Sequence, residues 1–439
     1  GLPVESLSKM ASTASVSRKT ATSTVRFLPI RPLRPSSPIP TQSRGIASSP
    51  TTDTTSTSRS ARVKRGSISP IPAANRPILA YVLDALVDAG IDDLHLVVGY
   101  QRDRVQDHVG PTYRGRTVTY HVQEKQLGTG HAVLQARDAI DRDFLVVNGD
   151  EVVTAAMVEA VMDAHSETDA ATLGVVESDR AAEYRAVRLD GDRIAELVER
   201  PEDDSYRLLN AGIYACGPSL LVDIESTERR AGERHLTDAI ADQIRAGNTV
   251  RGVRIEGLWS TATYPWDLLT VARDLLASGH VDEPERSEGV YVDETASVHG
   301  DATLRAPVVV GPDAVIGPGA VVGPDTALGR NTTVDAGAVV EGSVLDIDTQ
   351  IGSNATVVDA VTGQAVTVGP GATVPGGEAD VRVGTTIHED WRLGCIAADR
   401  ATIGGGATVE PGTLIGPDAR VGAGAYASDI VPEGAEVRR

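Results

Sequence analysis

The segment Gln123 to Val133, QEKQLGTGHAV, places a glutamine and a Gly-Thr-Gly turn just before a helical pattern. Small residues let the backbone approach a flat ligand closely, and the first N–H groups of a helix favour anions. The Gln123 amide offers a donor and an acceptor, which match a carbonyl and the N3–H of a pyrimidine. The segment therefore favours a nucleotide, although the turn alone also fits an ordinary helix N-cap.

A second candidate is Asp150, which follows the apolar run in DFLVVNGDEV. Open α/β sheets bind ligands at the carboxyl ends of their strands, and a carboxylate there suits Mg²⁺ that carries phosphate oxygens. The alternative is a solvated turn residue. On the first interpretation, Gln123, Gly128 and Asp150 meet in one crevice that holds a pyrimidine and its magnesium-bound phosphates.

The elements that must position these residues alternate between strands and helices from about residue 70 to 280. Apolar spacing predicts helices over NRPILAYVLDALVDAGI, RDRVQDHV, GTGHAVLQARDAI, HLTDAIADQIRAG and PWDLLTVARDLLAS. Apolar runs predict strands at DLHLVVGY, TVTYHV, DFLVVNGDEV, ATLGVV, AVRLD, RIAELVER and LLNAGIYAC. This alternation is typical of an α/β domain whose sheet is covered by helices.

From about residue 281 to 439 the sequence repeats with a period of six. Aliphatic residues recur at Val292, Val298, Leu304, Val310, Ile316, Val322, Leu328, Val334 and Val340, and the rhythm returns at Ile403, Val409, Ile415 and Val421. A period of six does not match a helix, but it fits coils of three short parallel strands around a narrow core. The pattern predicts an all-β parallel β-helix with one interruption.

The charge of the chain is unevenly distributed. The net charge of the 439 residues is −20, yet residues 1–66 hold 11 Lys+Arg against 2 Asp+Glu, and Lys125 is the sole lysine after them. An acidic, lysine-poor surface is typical of proteins that work in high salt, and it argues against binding of nucleic acid by the body of the protein.

Residues 1–69 are rich in Ser, Thr, Arg and Pro and show no period. Such a segment is expected to be disordered, and a misassigned or frame-shifted start is an alternative. The sequence contains no apolar run of membrane-spanning length and no secretory signal pattern, and Cys216 and Cys395 are its two cysteines. We therefore expect a cytoplasmic protein without a membrane partner.

Taken together, residues 70–280 resemble the sugar-phosphate nucleotidyltransferase family, and residues 281–439 resemble its attached left-handed β-helix. QEKQLGTGHAV is similar to the base-reading loop, with Gln123, Gly128 and Thr129 as nucleotide contacts. Asp150 matches the metal-binding aspartate, and Gly149 before it is a further nucleotide contact that the resemblance implies. The resemblance implies a Rossmann-like mixed sheet.

Two further segments carry the resemblance. IAELVERPED matches the sugar-binding segment, with Glu199 on sugar hydroxyls and Arg200 in the place of a catalytic phosphate-binding lysine. LLNAGIYAC matches the strand whose Asn210 and Gly212 line the sugar pocket. The implied reaction is attack of a sugar 1-phosphate, of glucose or N-acetylglucosamine, on the α-phosphorus of UTP or dTTP, with Mg²⁺ as cofactor and pyrophosphate as leaving group.

The sequence departs from the family pattern at several positions. The Gly-x-Gly-Thr-Arg loop and Pro-Lys-Pro turn that open the family do not occur, Arg185 stands where a glycine is usual, and Thr261 stands where a second metal ligand is usual. An inactive chain, serving as a regulatory or scaffold paralogue, is therefore an alternative.

The β-helix allows another activity. In bifunctional relatives this element transfers an acetyl group from acetyl-CoA to an amino sugar, and His388, in the interruption of the repeat, is the candidate base. The alternative is a polar surface histidine. We expect the β-helix mainly to form a homotrimer by packing its flat faces.

Overall fold

The computed structural model describes residues 20–24, 72–99, 102–166, 170–178, 181, 184–199, 201–203, 205–230, 232–383 and 386–439. In its α/β part the strands are β1 (Thr20–Thr24), β2 (Pro72–Ala73), β3 (Arg76–Pro77), β4 (Asp93–Val98), β5 (Thr112–Tyr113), β6 (Arg116–Val122), β7 (Phe144–Asn148), β8 (Glu151–Val152), β9 (Thr172–Glu177), β10 (Arg185–Asp190), β11 (Arg193–Glu199), β12 (Leu208–Cys216), β13 (Arg251–Arg254) and β14 (Ser260–Thr261). The helices are α1 (Ile78–Asp88), α2 (Arg102–Val109), α3 (Thr129–Gln135), α4 (Ala155–Ser166), α5 (Ser219–Ser226), α6 (Leu236–Arg245) and α7 (Asp267–Ala277), with a 3₁₀ turn at Arg137–Ala139.

The main sheet has ten strands in the order β10-β11-β13-β9-β12-β7-β1-β4-β6-β5. Strands β7, β1, β4 and β6 run parallel, whereas β12 is antiparallel to β7 and β10 is antiparallel to β11. The α/β domain with a mixed sheet is therefore confirmed. Because parallel neighbours end at the same edge, β7, β1, β4 and β6 present their carboxyl ends together.

Strand β1 occupies a central position in this sheet. Thr20–Thr24 pairs with Asp93–Val97 on one side and with Phe144–Asn148 on the other. Two parallel neighbours supply backbone partners to these five residues that the local sequence does not signal. The disorder expected over the rest of residues 1–69 stays a prediction. The other residues of that segment lie outside the described residues.

Two apolar layers cover the sheet. Helices α1 and α4 pack on one face through residues such as Leu83, Leu86 and Val158, and helices α3, α5 and α6 pack on the other through residues such as Val133, Leu220 and Ile240. All of these side chains are buried. The predicted helices match α1, α2, α3, α6 and α7 to within a few residues, whereas α4 and α5 were not predicted.

The second part is a parallel β-helix, which confirms the predicted architecture. Its domain-facing sheet stacks β15 (Glu285–Ser287), β16 (Val290–Val292), β19 (Val308–Val310), β22 (Thr326–Leu328), β25 (Val344–Leu345), β28 (Val361–Thr362), β33 (Cys395–Ala397), β36 (Thr413–Ile415) and β39 (Ile430–Val431). A second sheet stacks β17 (Ser297–Val298), β20 (Val315–Ile316), β23 (Thr333–Val334), β26 (Gln350–Ile351), β29 (Thr367–Val368), β34 (Thr402–Ile403), β37 (Arg420–Val421) and β40 (Glu436–Val437). The third stacks β18 (Thr303–Leu304), β21 (Val321–Val322), β24 (Val339–Glu341), β27 (Thr356–Val358), β30 (Thr373–Val374), β35 (Thr408–Val409) and β38 (Tyr426–Ala427).

Equivalent aliphatic residues of successive coils stack on each other in the β-helix. Val298 is level with Ile316, which is level with Val334, and all three positions belong to one apolar core. The six-residue period arises because each coil contributes one inward residue per sheet. The interruption of the repeat is an antiparallel hairpin, β31 (Glu378–Val383) and β32 (Thr386–Arg392), which leaves the coil after Val374 and returns at Cys395.

The two parts pack against each other through an apolar cluster. Outward side chains of the domain-facing sheet, among them Val309 and Val344, share this cluster with Leu268 and Leu275 of α7. Cys216 and Cys395 are buried and form no disulfide. In the part of the chain that the structure describes, no helix is long and apolar enough to span a membrane.

Candidate functional site

The predicted nucleotide residues follow two strands of the same parallel set. Asp150 comes two residues after β7 ends, and Gln123 comes directly after β6. Strands β1 and β4 lie between them, so the two strand ends are about 14 Å apart at about 4.8 Å per strand. The sheet therefore places both residues on its carboxyl edge, with the ends of β1 and β4 between them.

Gln123 is oriented by the loop that it precedes. Its Nε2 atom donates to the carbonyl oxygen of Gly128 at 3.1 Å and lies 2.8 Å from Nδ1 of His131. An amide nitrogen only donates, so Nδ1 of His131 accepts, and the ring is neutral with its proton on Nε2. Both contacts use Nε2, which leaves the carbonyl oxygen Oε1 as the atom that Gln123 can offer to a base.

The turn at Gly128 packs closely on a second loop. Gly128 has a φ of 96°, and a Cβ there would overlap the backbone of Arg234. Leu127 accepts a hydrogen bond from the N–H of Arg234, and the Thr129 hydroxyl accepts one from the N–H of Leu236 at 3.0 Å. Only glycine satisfies both the backbone angle and the close approach. In this structure Thr129 thus joins two loops, and its contact with a nucleotide stays a prediction.

A cationic region adjoins this turn. Burial lowers the pKa of His131, and the charges of Arg229 and Arg234 lower it further. A neutral His131 at neutral pH agrees with its role as acceptor from Gln123. The arginines lie in the segment ERRAGERHL, which the sequence analysis did not single out because the segment is distant in sequence from the glycine turn.

Around Asp150, three predicted residues come together. Gly149 is buried in the turn after β7, and Asp150 is half-buried with its Oδ1 atom inaccessible. Gly212 has a φ of 69°, and a Cβ there would overlap the carboxylate of Glu151. The pairing of β12 with β7 therefore places the predicted sugar strand next to the predicted metal aspartate.

Glu151 is a buried acid that no short sequence pattern indicated. Its residue exposure is 7%, and its Oε1 accepts a hydrogen bond from Asn148 at 2.9 Å. Across from it, Asn210 accepts from the N–H of Gly212 at 3.2 Å and donates to Tyr214 at 2.6 Å. The sequence signal for Glu151 was its position directly after Asp150. Strand alternation gave no reason to expect its carboxylate beside Gly212.

The segment from Trp259 to Asp267 fixes the backbone of these acids. Thr261 lies opposite Glu151 in the short β14–β8 pair, and the N–H of Ala262 donates to the carbonyl oxygen of Asp150 at 2.9 Å. Thr261 therefore lies beside the two acids, and the absence of a second metal ligand at this position stays a prediction. The Ser260 hydroxyl donates to Asp274 of α7 at 2.9 Å, and burial raises the pKa of that carboxyl.

The predicted sugar-binding Glu199 is engaged by an arginine. Arg185 lies opposite Glu199 in the β10–β11 register and contacts its Oε2 at 2.5 Å. The same guanidinium donates to the hydroxyl of Thr237 in α6. Arg185 therefore lies between the predicted sugar-binding segment and the segment HLTDAI. The resemblance implies a glycine at position 185. Arg200 lies outside the described residues, and its role stays a prediction.

His388 lies on strand β32 and faces the α/β part. Its ring centroid is 4.5 Å from that of Tyr264 and 5.3 Å from that of Trp266. Two aromatic rings therefore cover surface that a base for acetyl transfer would expose. That role stays a prediction.

The carboxylate oxygens of Asp150 and Glu151 are of the kind that a hard divalent cation binds. Among the described residues there is no group of three or more His, Cys, Asp or Glu that could hold a metal ion. Mg²⁺ commonly binds through one or two carboxylates and completes its shell with water and substrate phosphates. Asp150, next to the buried Glu151, fits that donor set.

The chain is similar to known proteins in both of its parts. Residues 67–277 match the nucleotidyl transferase family, and residues 304–389 match the GMPPB C-terminal domain. The chain is 34% identical to the UTP–glucose-1-phosphate uridylyltransferase AglF of Haloferax volcanii over 196 residues, which cover 44% of this chain and 81% of that protein. It is 32% identical to a glucose-1-phosphate thymidylyltransferase of Streptomyces griseus over 252 residues, which cover 55% of this chain and 71% of that protein.

The chain is also 31% identical to the bifunctional protein GlmU of Methanococcus maripaludis over 250 residues, 56% of each chain. The chain thus spans about half the length of the GlmU relatives that it matches. A fold of this kind, with these matches, defines the class: the chain belongs to the nucleotidyl transferase family.

Proposed function

We propose that the protein transfers a nucleotidyl group from UTP or dTTP to a sugar 1-phosphate, of glucose or N-acetylglucosamine, and releases pyrophosphate. The observation that carries this proposal is the common carboxyl edge of the sheet, along which the Gln123 loop and Asp150 lie, with the Gly212 strand beside Asp150. The AglF and thymidylyltransferase relatives, whose names specify glucose 1-phosphate, support it.

In this proposal Gln123 offers Oε1 to the N3–H of the pyrimidine, while Gly128 lets the base approach the backbone of the turn. Asp150 holds Mg²⁺, which supplies neutralisation of the phosphate charge. Glu199, Asn210 and Gly212 hold the sugar, so that its phosphate oxygen is oriented towards the α-phosphorus. Displacement of pyrophosphate by that oxygen requires no protein nucleophile.

The proposal also covers the salt conditions, the location and the oligomeric state of the protein. The acidic, lysine-poor composition supports work in high salt. A cytoplasmic location is part of the proposal. We propose a trimer, and because the domain-facing sheet is covered by α7 and its neighbours, a threefold assembly would use the second and third sheets of the β-helix.

The test is pyrophosphate release from UTP or dTTP with each sugar 1-phosphate, in molar KCl with Mg²⁺. Asp150→Asn should lower kcat by at least about 100-fold, since it removes the charge that holds the metal. Asp138→Asn, the same change on the exposed 3₁₀ turn, is the control and should have no effect. No release with any pair of substrates, or full activity of Asp150→Asn, would refute the proposal.

A further inference from the structure

The hairpin of β31 and β32 has no role in the repeat of the β-helix. Coils on either side of it pair directly, since Val361 of β28 is level with Ile396 of β33 and Thr373 of β30 is level with Thr408 of β35. The hairpin could therefore be absent without a gap in either of these two sheets. Arg392 at its end pairs with Asp359 of the β-helix at 2.8 Å, but its apolar side chains pack on the α/β part of the molecule.

One face of the hairpin packs on the segment that follows β14. Val381 and His388 are cross-strand partners, and Val381 is fully buried in the cluster that also contains Val152, Ala262 and Trp266. The other face is exposed, because the next pair, Arg382 and Ile387, points outward and Ile387 is 47% exposed.

The contacts are aromatic and close. The His388 ring meets Tyr264 edge-on at 4.5 Å, and Trp391 lies 5.8 Å from Trp266, ring centre to ring centre. Tyr264 and Trp266 are themselves stacked at 4.7 Å. Ring pairs at these separations hold preferred orientations, so the hairpin fixes the direction of both rings.

The same segment carries the backbone of the proposed metal site. Ala262, two residues before Tyr264, donates to the carbonyl oxygen of Asp150, and Thr261 lies opposite Glu151. At the other end, the N–H of Tyr264 donates to Asp267 at 2.7 Å, where α7 begins. A shift of Tyr264 therefore moves Ala262, and with it the turn that presents Asp150.

We propose that the hairpin is a positioning element of the nucleotidyl transfer site, with His388 and Trp391 as positioning residues that act through Tyr264 and Trp266. The expected effect on the rate of nucleotidyl transfer rests on the proposed function. The expected effect on the backbone around Asp150 does not. The role of His388 is to supply a ring, not a proton.

The structural test is hydrogen exchange by mass spectrometry on the full chain without substrate. His388→Ala and Trp391→Ala should each speed exchange at residues 149–152 and 260–264 by at least tenfold. Ile387→Ala, on the outer face of the same strand, is the matched control and should leave exchange unchanged. Wild-type exchange in both ring variants would overturn the proposal, whether or not the protein transfers nucleotides.

The kinetic test separates ring packing from proton chemistry. His388→Ala should lower kcat about tenfold and raise the Mg²⁺ concentration for half-maximal rate, with little change in the nucleotide KM, and His388→Phe should restore both. A His388→Phe variant as impaired as His388→Ala would contradict ring packing. If the wild type releases no pyrophosphate, the proposed function fails, and the exchange result alone decides the inference.

Discussion

Arg185 is the residue whose placement most affects the proposed sugar site. It holds the carboxylate of Glu199 in an ion pair, although that carboxylate is the predicted acceptor for sugar hydroxyls. The Glu199 side chain is 57% exposed, so the pair contributes at most about 1 kcal/mol. Arg185→Gly should free Glu199 and lower the KM for the sugar 1-phosphate by about two- to fivefold, measured at saturating nucleotide.

The control for this change is Arg188→Gly on the same strand. Arg188 pairs with Glu196 in the same register and is half exposed, away from Thr237. Its replacement should leave the KM unchanged. A rise in the KM of Arg185→Gly would mean that Arg185 itself binds the substrate.

Gly212 offers a test of the contact with Glu151. Both Gly212 and Gly191 have a positive φ, 69° and 64°, but a Cβ at Gly191 meets nothing within 4 Å, whereas at Gly212 it meets the Glu151 carboxylate. Gly191→Ala should cost about 1 kcal/mol of unfolding free energy from backbone strain alone. Gly212→Ala should cost at least about 2 kcal/mol and reduce kcat, because Glu151 must move.

The comparison uses urea unfolding and pyrophosphate release on the same preparations. Equal destabilisation by the two substitutions, with activity retained in both, would show that neither stability nor activity depends on the contact of Gly212 with Glu151.

Residue types and local spacing were sufficient to predict some of the site but not all of it. Gln123 and Asp150 follow the ends of their own strands and Gly128 directly precedes α3, so short segments predicted that they lie at one edge of the sheet. Glu151 escaped prediction because its environment is set by the pairing of β12 with β7. The ion pair of Arg185 likewise depends on the register of two strands.

At the scale of the elements, the coils of the β-helix allow a direct test of which side chains point into the core. Ile316 is buried and Val315, its neighbour in β20, is 45% exposed. Ile316→Ala should leave a cavity between stacked coils and lower the free energy of unfolding by about 2–4 kcal/mol. Val315→Ala should change it by less than about 1 kcal/mol. Similar losses in urea unfolding for both variants would contradict the assigned register.

Elements differ in how well their sequence reveals them. The β-helix was predictable because every coil requires an aliphatic residue at the same inward position of each sheet. Strand β1 was not, because TATST carries no apolar alternation and its place is determined by β4 and β7. The hairpin was visible as an interruption of the repeat, but its sequence gave no indication of its packing partner.

At the scale of the whole molecule, the contact between α2 and the β-helix contains two buried acids. Asp346 and Asp399 are 3% and 2% exposed, and Arg104 of α2 approaches Asp399 at 3.9 Å. Asp346 Oδ1 accepts from the N–H of Ile347 at 2.7 Å, and its buried Oδ2 accepts no hydrogen bond from the described part of the chain. Burial, reinforced by the charge of Asp399, raises the pKa of Asp346 to about 7.

This raised pKa makes the stability depend on pH in a definite direction. Below about pH 4, Asp346 is protonated in both the folded and the unfolded chain. As the pH rises towards 7, the unfolded chain releases the proton while the folded chain retains it, so the free energy of unfolding falls. Above about pH 7 both states are ionised and the loss is complete, with an upper limit of about 4 kcal/mol for a shift of about three pKa units.

Asp346→Asn removes this titration and keeps an oxygen for the N–H of Ile347. The variant should therefore be more stable than the wild type at pH 8, by about 1–4 kcal/mol, and the difference should shrink to about a quarter of that at pH 4.5. Asp335→Asn, the same change at an exposed residue of the β-helix, is the matched control and should show no pH-dependent difference. Urea unfolding in high salt at both pH values measures the effect. A constant difference between Asp346→Asn and wild type across this range would mean that Asp346 is ionised in the folded protein throughout, with Arg104 as its counter-charge across the contact between the two parts.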